Sequence, residues 1–156
     1  MWSTLEFSSG LTGFHYMNKE SLSKAAYLIA QNAGQSFSRI LGNSFRQTVA
    51  SIFSKEKMTT SQMLEGHLNA TVDRCQSSDS SYIIVAQDTT YYNYSGHKKM
   101  EGLGAIQGSV KGIVQHNALA VNENGVPMGV IYQRNWTRSG ANAFENESEK
   151  WFEGLR

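Results

Sequence analysis

Charge is scarce in this sequence: Asp, Glu, Lys and Arg make up 17% of 156 residues, and 14 basic against 13 acidic side chains leave a formal net charge of +1. With no bulk field of either sign, a strongly basic nucleic-acid tail is excluded. Proline occurs once, while 17 aromatic side chains argue against disorder. No apolar run approaches the ~18–20 residues of a membrane span. A lone cysteine, Cys75, has no internal disulfide partner, and the opening MWSTLEFSSG carries neither a basic nor an apolar leader region. A cytoplasmic protein with room for one real core but not two large ones is the expectation.

What is present is periodicity of two kinds. Leu22, Ala25, Ala26, Ile29 and Ala33 recur at helical spacing, with Ser21 available as N-cap and Gly34 as a stop. Phe45, Val49, Ile52 and Phe53 repeat the pattern, and Met63/Leu64, His67/Leu68 and Thr71/Val72 carry it to Cys75. Thr59 followed by Gln62 fits a capping box ahead of this third stripe. Residues to about 76 therefore read as helical. The polar stretch from Gln76 to Ser81 marks a change of regime.

Tyr82-Ile83-Ile84-Val85-Ala86 follows as an apolar, β-branched run without polar alternation, the pattern of a strand buried on both faces, ending at Gln87-Asp88-Thr89-Thr90. Residues 91–109 read as a long loop rich in Gly and Tyr. Val110–Val121 and Val126–Trp136 are extended runs on either side of Asn122-Glu123-Asn124-Gly125, and Asn-Gly supplies the positive φ of a tight hairpin turn. Pro127 falls just past the turn, where its missing N–H does least harm. Asn142–Leu155 carries Phe144, Trp151, Phe152 and Leu155 on one side and Glu145, Glu147 and Glu149 early, as a helix would. The class is α+β, without internal repeats.

Asp88 is the most informative position. An ionised carboxylate at the end of an apolar strand is costly unless it is solvated or neutralised by a cation. Two readings fit: a ligand for a hard cation, one carboxylate of a two-metal phosphoryl-transfer site, or a turn cap bonded to Thr90. His97, Lys98 and Lys99 suit phosphate contacts, and Arg134 and Arg138 flanking Trp136 suit backbone contact plus base stacking; solvated lysines and a core tryptophan are the plain alternatives. His67 reads as a satisfied core residue. His116 has no partner at metal-ligand spacing, which argues against zinc, and Cys75 reads as a small buried hydrophobe.

Ile83-Ile84-Val85-Ala86-Gln87-Asp88-Thr89-Thr90, then Asn93-Tyr94-Ser95 with His97, then Gly102-Leu103-Gly104, together resemble the first catalytic block of the bacterial DDE transposases of the insertion-sequence-four family. The resemblance continues through Gly112–His116, Ala118–Val121, Gly125–Gly129 and Trp136-Thr137-Arg138; Phe53–Thr59 and Met63–His67 are similar to the end of that family's helical DNA-binding domain. It implies a helical DNA-binding domain over 1–76. Over 82–156 it implies the first three strands, an antiparallel meander, and first helix of an RNase H-like catalytic core.

Asp88 is then the first acid of the Asp-Asp-Glu triad, and Mg²⁺ or Mn²⁺ the cofactor of the complete enzyme. Double-stranded DNA bearing terminal inverted repeats is the partner, the complete enzyme a homodimer, and the setting the bacterial cytoplasm at the nucleoid, with no membrane. His97, Lys98, Lys99, Arg134, Trp136 and Arg138 are the expected DNA contacts.

The sequence departs from the family in two ways. The second Asp and the Glu of the triad fall beyond Arg156, and Glu145, Glu147 and Glu149 match neither, so these 156 residues are expected not to cut DNA alone and to bind metal weakly. Residues 1–81 hold seven basic against six acidic side chains, which predicts weak DNA affinity for that half. The alternative reading is a non-catalytic DNA-binding remnant or first-frame product acting as an inhibitor. A sheet interrupted after three strands leaves an open edge, and self-association is expected.

Overall fold

The structure, a computed structural model, describes residues 2–8, 10–138 and 151. The expected helix over 142–155 lies outside the described residues except for Trp151. The chain divides into two compact units, Met1–Asp73 and Arg74–Arg156.

Helices α1 (Trp2–Ser8), α2 (Tyr16–Gln31), α3 (Phe37–Phe53) and α4 (Thr60–Gln76) precede the strands. No described helix is long and apolar enough to cross a membrane. The capping box forms as the sequence predicts: Gln62 N donates to Thr59 Oγ1 at 3.2 Å, and Thr59 N to Gln62 Oε1 at 3.3 Å. Helix α2 starts earlier than expected. His15 is its N-cap, and Ser21 lies inside it; the first turn carries exposed Tyr16 and Met17, so the apolar stripe does not mark its beginning.

Helix α3 likewise starts early, at a cap made by Ser36, and Gly42 (φ 66°, ψ 172°) interrupts it. Helix α1 escapes a search for apolar periodicity because its hidden side is polar. Ser3 and Glu6 are buried while Trp2 and Leu5 are exposed.

Leu11, Phe14, Leu22, Ala25, Val49 and Ile52 form the core of the first unit, with Phe7, Leu41, Phe45 and Met58 packed against it. Backbones meet closely at Gly66: a Cβ there would stand 2.1 Å from the Glu6 carbonyl oxygen, and one on Gly10 would stand 2.6 Å from Gly66 N. The next residue, His67, is half-buried, and its Nδ1 lies 2.6 Å from Glu6 Oε2. Cys75 is half-buried rather than buried.

The second unit contains a four-stranded antiparallel sheet of β1 (Ile83–Asn93), β2 (Gly104–Gln107), β3 (Val110–Asn122) and β4 (Pro127–Trp136). Strand β3 is central. It pairs with β1 from Asn122 to Gly112 on one side, and with β4 and β2 in turn on the other. The meander expected from the sequence is therefore present as β1-β3-β4, with β2 added from the stretch read as loop.

The turn between β3 and β4 is built by Gly125 (φ 79°) and by Asn122, whose Oδ1 accepts from Asn124 N at 3.0 Å and Val126 N at 2.8 Å. Along β3 burial alternates strictly, and Gly112, Val114, His116, Ala118 and Ala120 form the hidden face. At Gly112 there is no room for a side chain, because a Cβ would fall 1.9 Å from the Tyr92 carbonyl oxygen.

Strand β1 corrects two expectations. It runs on to Asn93, so Asp88 is the sixth of its eleven residues and does not lie at its end as expected. Nor is it buried on both faces: exposure alternates, and Ile84 is 49% exposed. Apolar composition over Tyr82–Ala86 reflects β propensity, whereas burial depends on what packs against each face.

Candidate functional site around Asp88

Because strand residues alternate in direction, Asp88 faces the opposite way from Gln87 and Thr89, and those two neighbours are tied down from beneath. His116, fully buried on β3, has Nδ1 2.8 Å from Thr89 Oγ1 and Nε2 3.0 Å from Gln87 Oε1. The amide of Gln87 donates through Nε2 to the Trp151 carbonyl oxygen at 3.4 Å, which leaves Oε1 as the acceptor. His116 therefore donates from Nε2 and accepts at Nδ1 from the Thr89 hydroxyl, satisfying both ring nitrogens. The rings of Tyr132 and Trp151 lie edge-on to it, at centroid distances of 6.3 and 5.0 Å. Fixing Gln87 and Thr89 fixes the pleat between them, and Asp88 is held outward, exposed.

On the outward face the register sets Asp88 opposite Asn117 and Asn117 opposite Gln133. The next row is Thr90, Gln115 and Asn135. These amides are joined: Gln133 Nε2 donates to Asn117 Oδ1 (2.9 Å), Asn117 Nδ2 to Gln115 Oε1 (3.1 Å), and Gln115 Nε2 to Asn135 Oδ1 (2.9 Å). The Tyr92 hydroxyl donates to the same Gln115 Oε1 at 3.1 Å. Among the described residues no hydrogen bond or ion pair engages the Asp88 carboxylate, and the expected alternative of a cap onto Thr90 does not form. An exposed carboxylate oxygen is a donor that hard cations such as Mg²⁺ and Mn²⁺ accept, so Asp88 fits as one ligand of such an ion. The neighbouring amide oxygens of Asn117, Gln115 and Asn135 already accept hydrogen bonds from the adjoining amides. Among the described residues, no three His, Cys, Asp or Glu side chains come together.

The other singled-out residues divide by location. His97, Lys98 and Lys99 are exposed in the loop after β1, whose turns are fastened by His97 N to Tyr94 O (2.8 Å) and Met100 N to His97 O (3.0 Å). Arg134 pairs in register with His116, and Trp136 with Val114, so both lie on the face opposite Asp88, half-buried. Arg138 follows β4: its Nη2 donates to the Tyr91 hydroxyl at 3.3 Å, and its guanidinium lies 5.8 Å from that ring's centroid. Tyr91 too is on the His116 side of β1. The cationic loop thus follows the strand that carries the carboxylate, and Asp88 itself is separated from Arg134 and Trp136 by the thickness of the sheet.

Sequence reasoning missed the organising part of His116. Polar Gln87 and Thr89 on either side of Asp88 were the available sign, but their partner is set by a β1–β3 register that the sequence does not print. No protein-family model matches this sequence, and no curated protein matches it.

Proposed function

We propose that this chain is the N-terminal part of a cut-and-paste DNA transposase acting in the bacterial cytoplasm, in which Asp88 is the first of three carboxylates around a pair of divalent ions. The single observation that carries the reading is an unengaged carboxylate in the middle of β1, within the run from Ile83 to Arg138 that resembles the first catalytic block of the insertion-sequence-four family. On this reading residues 1–76 hold the ends of the element as double-stranded DNA, and 82–156 open an RNase H-like core.

The chain's own residues have separate tasks. Asp88 presents a carboxylate oxygen to a Mg²⁺ or Mn²⁺ ion, and the amides of Asn117 and Gln133 keep its surroundings polar. His116, through Gln87 and Thr89, holds that carboxylate to one side of the sheet and prevents rotation of the strand. His97, Lys98 and Lys99 meet phosphates, and Arg138 braces Tyr91 at the far end of β1. When bound, the two ions supply an activated water or 3′-hydroxyl and stabilise the departing oxygen. Strand cutting needs a second Asp and a Glu from outside these residues, and the complete enzyme works as a homodimer on paired ends.

The test is reconstitution. The 156-residue chain alone should leave terminal-repeat duplexes intact in Mg²⁺. Supplied with the downstream polypeptide that carries the missing Asp and Glu, it should nick them, and Asp88→Asn should abolish nicking. Nicking that survives Asp88→Asn would overturn the proposal, as would gel shifts showing no preference for repeat ends over random duplex at matched salt.

A further inference from the structure

Asp88, Thr90 and Tyr92 follow one another on the outward face of β1, and Tyr94 extends the row. Its N–H donates to the Lys111 carbonyl oxygen at 2.9 Å, so the ladder continues one residue past the strand. The rings of Tyr92 and Tyr94 are parallel to within 8°, with centroids 6.3 Å apart. Tyr92 is 38% exposed and is held from the sheet side by its hydroxyl bond to Gln115, itself locked to Asn117 and Asn135. His97 meets the edge of the Tyr94 ring at 5.7 Å and 80°. Exposed Lys98 and Lys99 come next in the chain. Within one strand and its following loop the surface therefore changes from carboxylate to paired aromatic rings to cations.

We infer that Tyr92 and Tyr94 form a stacking platform for unpaired bases of single-stranded DNA, whose phosphates are met by the His97–Lys99 loop while the strand passes toward Asp88. The inference rests on the proposed reading of Asp88 and deepens it by naming the form of the substrate strand. The chemistry of the surface selects this ligand. Parallel aromatic faces take any nucleobase because every base has a π-face, and cations beside them follow the phosphate backbone. Tyr92 is four residues from Asp88, about 13 Å along an extended strand, a distance that a few nucleotides span. Rings already positioned by Gln115 and by the continued ladder lose little rotamer freedom on binding, which favours stacking over solvent.

The experiment uses the whole chain. A fluorescent oligothymidylate is titrated with wild type, Tyr92→Leu, Tyr94→Leu and Tyr92→Phe at fixed low salt, each variant first checked for an unchanged melting profile. Each Leu variant should weaken binding about tenfold, whereas Tyr92→Phe, which keeps the ring, should stay within about threefold. A second measurement is independent of how the variants fold: photocrosslinking of wild type to an oligonucleotide carrying 5-iodouracil, mapped by mass spectrometry, should mark Tyr92 or Tyr94. Absence of oligonucleotide binding by wild type, Leu variants that bind as wild type does, or crosslinks confined to other residues would each overturn the platform. Duplex-end binding and Asp88-dependent nicking in the reconstituted enzyme are scored separately. Their survival alongside a failed platform removes this inference alone, and their loss removes the reading beneath it.

Discussion

His116 Nε2 lies 3.0 Å from Gln87 Oε1 across the β1–β3 pair, and the other ring nitrogen of the same buried histidine is 2.8 Å from Thr89. One side chain thus secures both neighbours of Asp88, so replacing it tests stability and site geometry together. His116→Phe keeps the bulk but strands two polar partners beneath the sheet, and should cost about 2–3 kcal/mol. Thr89→Val, which removes one partner, should cost about 1 kcal/mol. Urea unfolding of the two variants measures this; a His116→Phe protein as stable as wild type would show that the ring is not a clamp.

Asp88 itself should be nearly neutral for folding. Its carboxylate is exposed and unengaged among the described residues, so Asp88→Asn should change stability by no more than about 0.5 kcal/mol. The same substitution should eliminate divalent-ion-dependent nicking in the reconstituted enzyme. A large loss of melting temperature would instead identify Asp88 as a structural residue.

In the helical unit, Gly66→Ala is expected to be the most damaging small change. The added methyl would stand 2.1 Å from the Glu6 carbonyl oxygen, which is backbone and has no rotamer to escape by. Separation of the chains is the remaining response, at a cost of about 2–3 kcal/mol. Thermal melting followed at the helical circular-dichroism band reports it, and an unchanged midpoint would mean that the backbones do not meet there.

The hairpin turn depends on Asn122, whose carboxamide oxygen accepts from two backbone N–H groups. Asn122→Ala should destabilise the β3–β4 pair by about 1–2 kcal/mol, while Gly125→Ala adds strain at a φ of 79° and should cost about 1 kcal/mol. Faster amide hydrogen exchange at Val126 in Asn122→Ala is the specific sign to seek; unaltered exchange would refute the role of this side chain.

Short-range features were legible in the chain alone. The Thr59–Gln62 box, the Asn124-Gly125 turn and the apolar stripes ending at Phe53 and Cys75 each involve residues a few positions apart, where spacing and side-chain chemistry decide the outcome. Asp88 was also conspicuous, as a charge inside a β-branched run. Other features depended on tertiary pairing. Helix α1 buries Glu6 where Gly66 lets another backbone approach it, and Ser3 against Ser23 of α2. Which side of β1 is covered, and whether Asp88 shares that side with Arg134 or lies across the sheet from it, follows from a register joining residues some thirty positions apart. A slip of one residue would send every side chain to the other face. Composition is the same in either register, so the face on which Asp88 and Tyr92 meet solvent was decided by the pairing with β3 and by the histidine buried beneath it.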